Sequence, residues 1–314
     1  MLKNRNAADP RADRVDRETL PIIDLSPLFG DDRAARQDMA RDIRDACVRS
    51  GFFYVVVHRV QADLMSGIMD AGRALFALGA DAKQAIASPP PFGRGYAMMG
   101  GRALRGGPYK AVKEEFYAGR DYPVDETGPN LWPAALTEFR VTVERYIEAM
   151  HELAERLMVG VALSLDLPEY HFAAFCDQPL ALLRLVRYPE EGAEAGAHTD
   201  FGALTLLLQD GAGGLQVFDR ETDGWIHATP ISGSFVVNVG DLIERWTNKL
   251  YRSTPHRVVH PPGVARLSVP FFFTGAADYP IACLPTCVKD GETPIYPPTT
   301  PRLHESERRR AQGF

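Results

Sequence analysis

Apolar residues recur at helical spacing along the first half of the chain and at every other position along much of the second. Within residues 32–50, Met39, Ile43 and Cys47 share one helical face, and Gly51 follows as a stop. A second amphipathic helix is predicted over 62–78 through Leu64, Ile68, Ala71 and Leu75. A third is predicted to open at Pro133 and run to about Leu165. Its stripe is Phe139, Val143, Tyr146, Ile147, Met150, Leu153 and Leu157, and Pro168 marks its end. Residues 20–25 and 52–57 read as short buried strands.

Between residues 180 and 274 the period shortens. ALLRLVRYP, ALTLLLQ, GLQVF, SFVVNVG and RLSVPFFF are strand-like runs separated by Gly, Asp and Pro turns. Many short strands with turn punctuation predict a mainly β sandwich or barrel with helices packed outside. Residues 89–133, with PPPFGRGY and GGRALRGG, read as a loop whose length is unusual in a compact domain unless it is functional or partly ordered. The resulting division is a disordered tail at 1–20, an N-terminal region at 21–130, the long helix and its connection at 131–178, a strand-rich region at 179–282 and a C-terminal tail at 283–314. All of it is expected to form one compact domain.

Composition narrows the partners. The chain has 314 residues, 45% hydrophobic and 24% charged, which is the ordinary globular range. A net charge of −6 offers no electrostatic reason for a nucleic-acid partner, and the basic run Arg308 to Arg310 reads as a solvated tail. Four cysteines, at 47, 176, 283 and 287, are too sparse for a disulfide framework and fit reduced thiols. Cys283 and Cys287 flank Pro285 without a second Cys/His pair, so a structural role is expected. The N-terminus mixes charges and lacks the apolar stretch of a signal peptide, and no apolar run approaches the roughly 20 residues that span a bilayer. The expectation is a cytoplasmic protein, monomeric or a weak homo-oligomer, that takes a small-molecule substrate and neither nucleic acid nor membrane.

The candidate chemistry lies in the strand-rich region. In an extended A-H-T-D segment, His198 and Asp200 would face the same way and address one atom. An isolated H-x-D is weak, and either residue alone is more often a core histidine or a turn former. His256, in T-P-H-R-V, raises the signal: two imidazoles and a carboxylate on one face of a divalent metal leave coordination positions open. Arg266 and Ser268 follow, two apart on a strand, and a guanidinium beside a hydroxyl suits a carboxylate. Asn238 and Asp241 read as a strand end and a turn, and Gly213-Gly214 as a hairpin turn. His58, His151, His171, His227, His260 and His304 show no metal spacing.

These residues, with LPIIDL, GFFYVV, PNLWP, LRLVRYP, HTDFGALTLLLQD, VVNVGD, TPHRVV and RLSVPFFF in order, resemble the isopenicillin N synthase-like family of Fe(II)- and 2-oxoglutarate-dependent oxygenases. The resemblance runs from about Leu20 to Pro298. It implies a distorted jelly-roll core, a double-stranded β-helix, with 179–282 as the catalytic region. It further implies Fe(II) on His198, Asp200 and His256, and 2-oxoglutarate on Arg266, Ser268 and Tyr188. Dioxygen is the implied cosubstrate, and a small organic substrate is oxidised, by default hydroxylated, with release of succinate and carbon dioxide.

Two alternatives stay open on the residues alone. One is an Fe(II) oxidase or cyclase of the isopenicillin N synthase or aminocyclopropane-carboxylate oxidase type, in which R-x-S grips a substrate carboxylate instead. The other is a zinc-type hydrolase or a non-catalytic metal-binding module. The substrate pocket is expected to draw on Arg94, Tyr96, Lys113 and Phe116 from residues 89–120, with Leu183 and Phe272 from strands.

Overall fold

The computed structural model describes residues 20–89, 93–99, 113–120, 128–288 and 291–311. The expectation of disorder at residues 1–19 and the GGRALRGG stretch lie outside them. The first helix is Arg33–Arg49 (α1), and Asp32 caps it by accepting from the Ala34 and Ala35 amides at 2.9 and 3.2 Å. Gly51 ends the turn with φ +69°, and a Cβ there would lie 1.9 Å from the Arg252 carbonyl oxygen, so both backbone conformation and close approach require glycine. Ala62–Phe76 (α2) and the short Ala80–Gln84 (α3) follow. The long helix is Phe139–Ser164 (α4), starting six residues after Pro133 because residues 134–138 form turns first.

Among the described residues, twelve strands make two sheets. The larger is ordered Ile22–Asp24 (β1), Phe52–Val56 (β2), Phe235–Val239 (β10), Leu204–Gln209 (β7), Arg266–Gly275 (β12), Leu180–Tyr188 (β5), Lys113–Ala118 (β4) and Gly95–Met99 (β3). The smaller is ordered Ala193–His198 (β6), His256–His260 (β11), Leu215–Asp219 (β8) and Gly224–His227 (β9). A short helix, Asp241–Trp246 (α5), follows β10. The loop expected over 89–133 therefore contains a strand pair, β3 with β4, antiparallel and continuous with β5. Gly/Pro content conceals it, because the alternation in each strand is only five or six residues long. Gly213-Gly214 is not a hairpin turn: β7 and β8, which it joins, belong to different sheets.

Alternation divides the large sheet's side chains between two environments. Leu267, Val269, Phe271 and Phe273 of β12, Leu183 and Leu185 of β5, and Leu204, Leu206 and Leu208 of β7 are buried against α1, α2 and α4 in the main core. The opposite face turns to the small sheet. There Phe52, Tyr54 and Val236 pack with Leu215, Val217 and Ile226, and Val186 and Tyr188 pack with Ala193 and Val258. The mainly β architecture with packed helices is thus observed, and the inter-sheet space is where polar residues interrupt the apolar lining. No helix among the described residues is long and apolar enough to cross a membrane.

The C-terminal residues depart from the expectation of a solvated tail. Pro301–Ala311 form a helix (α6), and Arg308 donates from Nη2 to Thr199 Oγ1 at 2.9 Å while its Nε lies 3.1 Å from Asp241 Oδ2. Along the chain the basic run shows only its charge. Helical spacing, with Pro301 at the start, brings one of its arginines onto the 199–201 turn.

Candidate active site

His198 is the last residue of β6, and Asp200 lies in the turn before β7 rather than two places along the same strand. His256 opens β11 and pairs across with His198, followed by a register shift before Val258. That pairing, together with the turn, brings three side chains together from two strands and a loop. One ligand atom from each of His198, Asp200 and His256 lies within 4.8 Å of the others, and this is the metal-compatible cluster found among the described residues. Both imidazole Nε2 atoms approach the same carboxylate oxygen, Asp200 Oδ1, at 3.9 and 3.7 Å.

Each of the three is oriented by a neighbour. His198 Nδ1 donates to Gly196 O at 2.8 Å and His256 Nδ1 to Thr254 O at 3.2 Å, which puts the lone pair on Nε2 in both rings. Phe52 packs its edge against the His256 ring with centroids 5.2 Å apart. Asp200 Oδ2 accepts from Thr205 Oγ1 at 2.6 Å and Asn238 Nδ2 at 2.8 Å, leaving Oδ1 for the metal. The donor set, its spacing and the held tautomers fit a divalent first-row ion with open positions. Burial, which opposes its charge, is outweighed by His256, His198, Thr205 and Asn238, which hold the Asp200 carboxyl below its usual range. Desolvation and the adjacent His256 bring His198 down to about 4, so it is neutral at neutral pH, the ligating form.

Gly240 secures the turn from behind. Its amide donates to Ala203 O at 2.8 Å, the Asp241 amide donates to Asp200 O at 2.8 Å, and a Cβ on Gly240 would lie 2.3 Å from Gly202 O. Arg308 of α6, bonded to Thr199, also stacks its guanidinium 5.1 Å from the Phe201 ring centre.

Arg266 sits deeper on the same face of β12 as Ser268. It is 1% exposed, yet its partners among the described residues are neutral: Ser268 Oγ at 3.0 Å, Gln209 Oε1 at 3.3 Å and the Gly213 carbonyl. Its guanidinium lies 4.9 Å from the Tyr188 ring centre. Burial pushes its pKa down, with Tyr188 and Asp210 opposing.

The residues expected to shape a substrate pocket divide. Lys113 and Phe272 lie on the inner faces of β4 and β12. Tyr96, Phe116 and Leu183 do not: all three are buried in the core on the helical side. Phe116 packs edge-on against Phe139 of α4, and Tyr96 donates to Glu114 Oε1 at 2.7 Å. Arg94, 1% exposed, binds the carbonyls of Gly119 and Arg120. The difference has one cause: in a strand, neighbouring residues face opposite ways, and the register against β5 decides which set faces in. The inner set on β4 and β5 includes Glu115, Tyr117 and Arg184, which sequence reasoning misses although K-E-E-F-Y alternates charged and aromatic residues. It also misses Thr205 and Asn238 as supports. Their signal is a polar residue inside otherwise apolar strands. A separate cavity of about 760 Å3, lined by Phe29, His58, Arg59, Glu155 and Cys176 among others, lies away from all of these.

Comparison with known proteins follows the same lines. Residues 20–135 match the family model of the non-haem dioxygenase N-terminal region, named for morphine synthesis, and residues 179–275 match that of the 2OG-Fe(II) oxygenase superfamily. The 2-oxoglutarate-Fe(II) type oxidoreductase hxnY of Emericella nidulans is 39% identical over 301 residues, 89% of this chain and 86% of that protein. The chain belongs to the Fe(II)- and 2-oxoglutarate-dependent oxygenase family. A full-length Neurospora crassa protein solved in complex with alpha-KG aligns with a TM-score of 0.85 at 27% identity, covering 95% of this chain and 98% of that one. A putative 2OG-Fe(II) oxygenase family protein from Caulobacter crescentus aligns with a TM-score of 0.85 at 30% identity, covering 94% and 99%. The fold is therefore the double-stranded β-helix of these oxygenases. The enzyme is a 2-oxoglutarate-dependent dioxygenase that uses Fe(II), 2-oxoglutarate and dioxygen. Neither the isopenicillin N synthase-type chemistry without 2-oxoglutarate nor a hydrolase is favoured by these relatives.

Proposed function

We propose that His198, Asp200 and His256 hold the Fe(II), that Arg266, Ser268 and Tyr188 receive the distal carboxylate of 2-oxoglutarate, and that the enzyme hydroxylates a small organic substrate. The observation that carries this reading is Arg266. A guanidinium buried to 1% whose hydrogen-bond partners among the described residues are all neutral is costly, and a ligand carboxylate supplies the missing charge. Bound iron supplies the activation of dioxygen that lets an unactivated C–H bond be oxidised as 2-oxoglutarate loses carbon dioxide to become succinate.

The chain's residues provide the setting. Gly196 and Thr254 fix the imidazole tautomers, Thr205 and Asn238 fix the carboxylate, and Gln209 and Gly213 O hold the Arg266 fork in place. Lys113 and Phe272 line the space left for substrate. Four free cysteines support a reducing, cytoplasmic setting, and we place the enzyme there as a monomer or weak homo-oligomer.

Arg266→Ala tests the reading. Removing one partner of a buried charge pair costs on the order of 2–5 kcal/mol, so 2-oxoglutarate affinity should fall by at least tenfold. Titration of 2-oxoglutarate into the Fe(II)-loaded variant, with succinate release measured alongside, reads this directly. Undiminished affinity would remove Arg266 from the site.

A further inference from the structure

Beside the triad, the inner wall formed by β4 and β5 carries a second charged group that the metal and 2-oxoglutarate do not use. Glu115 is 0% exposed, and both of its carboxylate oxygens are taken: Oε1 by Lys113 Nζ at 2.9 Å and by Arg184, Oε2 by the Tyr117 hydroxyl. Burial opposes its charge, but Arg184 and Lys113 outweigh burial and hold it down to about 2, so it is ionised throughout the working range. Arg184 lies over the Tyr117 ring at 5.4 Å, is 23% exposed, and has a buried Nε with no hydrogen-bond partner among the described residues. On β5 it stands between Leu182 and Val186, whose strand partners are Phe272 and Ser268, so it faces the same interior as the 2-oxoglutarate residues.

Among the described residues the charges do not balance. Two cations share one carboxylate whose acceptor oxygens are already used, while Arg184 and Lys113 keep donors directed at the interior. Arg309, which approaches from α6, pairs with Glu305 and leaves the difference unchanged. Tyr188 lies near both poles, its ring centre 6.0 Å from Lys113 Nζ and 4.9 Å from the Arg266 guanidinium. A buried ion cluster of this kind is a poor device for stability, since apolar residues of similar volume do as well or better. Convergent donors with net positive charge in a concave site are a recognition device.

We propose that Arg184 and Lys113 bind an anionic group of the primary substrate, a carboxylate, with Glu115 and Tyr117 positioning the two cations. The substrate class is thus a small organic acid whose oxidisable C–H lies between this pole and the triad. This rests on the 2-oxoglutarate reading, because that cosubstrate must fill the Arg266 pole for a second acid to be directed here.

The test is anaerobic calorimetry on the full-length protein loaded with Fe(II) and 2-oxoglutarate. The probes are benzoate, 3-phenylpropionate and cyclohexanecarboxylate, each set against its primary carboxamide and the corresponding primary amine. At least one acid should bind about tenfold tighter than its amide, and Arg184→Met and Lys113→Met should each remove most of that preference. The 2-oxoglutarate affinity of both variants should fall by clearly less than the tenfold acid preference, since among the described residues neither cation hydrogen-bonds Arg266, Ser268 or Tyr188. Amides or amines binding as well as acids, an acid preference that survives both substitutions, or no acid binding up to about 10 mM, weaker than any specific site of this kind, would each overturn the proposal. Should Arg184→Met fail to fold, Lys113→Met and the acid–amide comparison on the parent still decide. Failure of the parent to bind 2-oxoglutarate would instead sink the cosubstrate reading.

Discussion

Asp200 divides two tasks between its oxygens: Oδ1 faces the two imidazoles while Oδ2 is held by Thr205 and Asn238. Without those donors the carboxylate would rotate, and its low pKa would rise. Asn238→Leu, which keeps the volume but removes the donor, should therefore lower metal affinity by about 10–100-fold. An anaerobic Fe(II) titration checks this, and unchanged affinity would show that the hydrogen bond is incidental. His151 of α4 has a different consequence. It is fully buried against Phe271 and Phe273, and both of its ring nitrogens lack partners among the described residues. Burial, helped by Arg120, lowers its pKa from 6.5 to about 4. Between those values the unfolded chain binds a proton that the folded chain refuses, so stability falls as pH drops through that window and is intact above it. Urea midpoints of the metal-free protein from pH 7 to 4 should decline less steeply in His151→Leu than in the parent.

At the scale of elements, alternation is legible in the sequence and its absolute sense is not. The pairing of Arg266, Ser268 and Phe272 on one face of β12 follows from period 2, because β12 is long enough to display it. On β4 the same rule gives no face: Glu115 and the Arg184 of β5 that it pairs with are 69 residues apart, and the register that sets Arg184 opposite Tyr117 is a tertiary fact. Phe116 goes to the core and Glu115 to the interior for that reason. The C-terminal helix is another case. Arg308 reaches Thr199, which stands between two ligand residues, and also pairs with Asp241. A partly exposed ion pair adds little to global stability, about 1 kcal/mol at most. Arg308→Ala is accordingly expected to weaken metal binding several-fold with little change in the urea midpoint, and a loss confined to the midpoint would assign the helix a purely structural role.

For the molecule as a whole, the helices cover one face of the large sheet and the small sheet covers the other, so the site lies between the two sheets, beside the apolar clusters that join them. Ligands bound there act on the entire fold. Saturating Fe(II) with 2-oxoglutarate at about 100 times Kd should add on the order of 2.7 kcal/mol, and chelation should reverse it. Thermal melts with and without chelator measure that difference; identical curves would mean that the folded state does not bind the pair. The sequence alone determined the layer class, the strands whose apolar runs are long enough to read, and the residue types able to bind metal and carboxylate, because periodicity and side-chain chemistry are local. Only tertiary structure decided that His198 and Asp200 meet through a strand end and a turn, that Asn238 and Arg308 support them, and which face of β4 looks inward. Each of these depends on register or docking between segments far apart in the chain, and no local pattern encodes that.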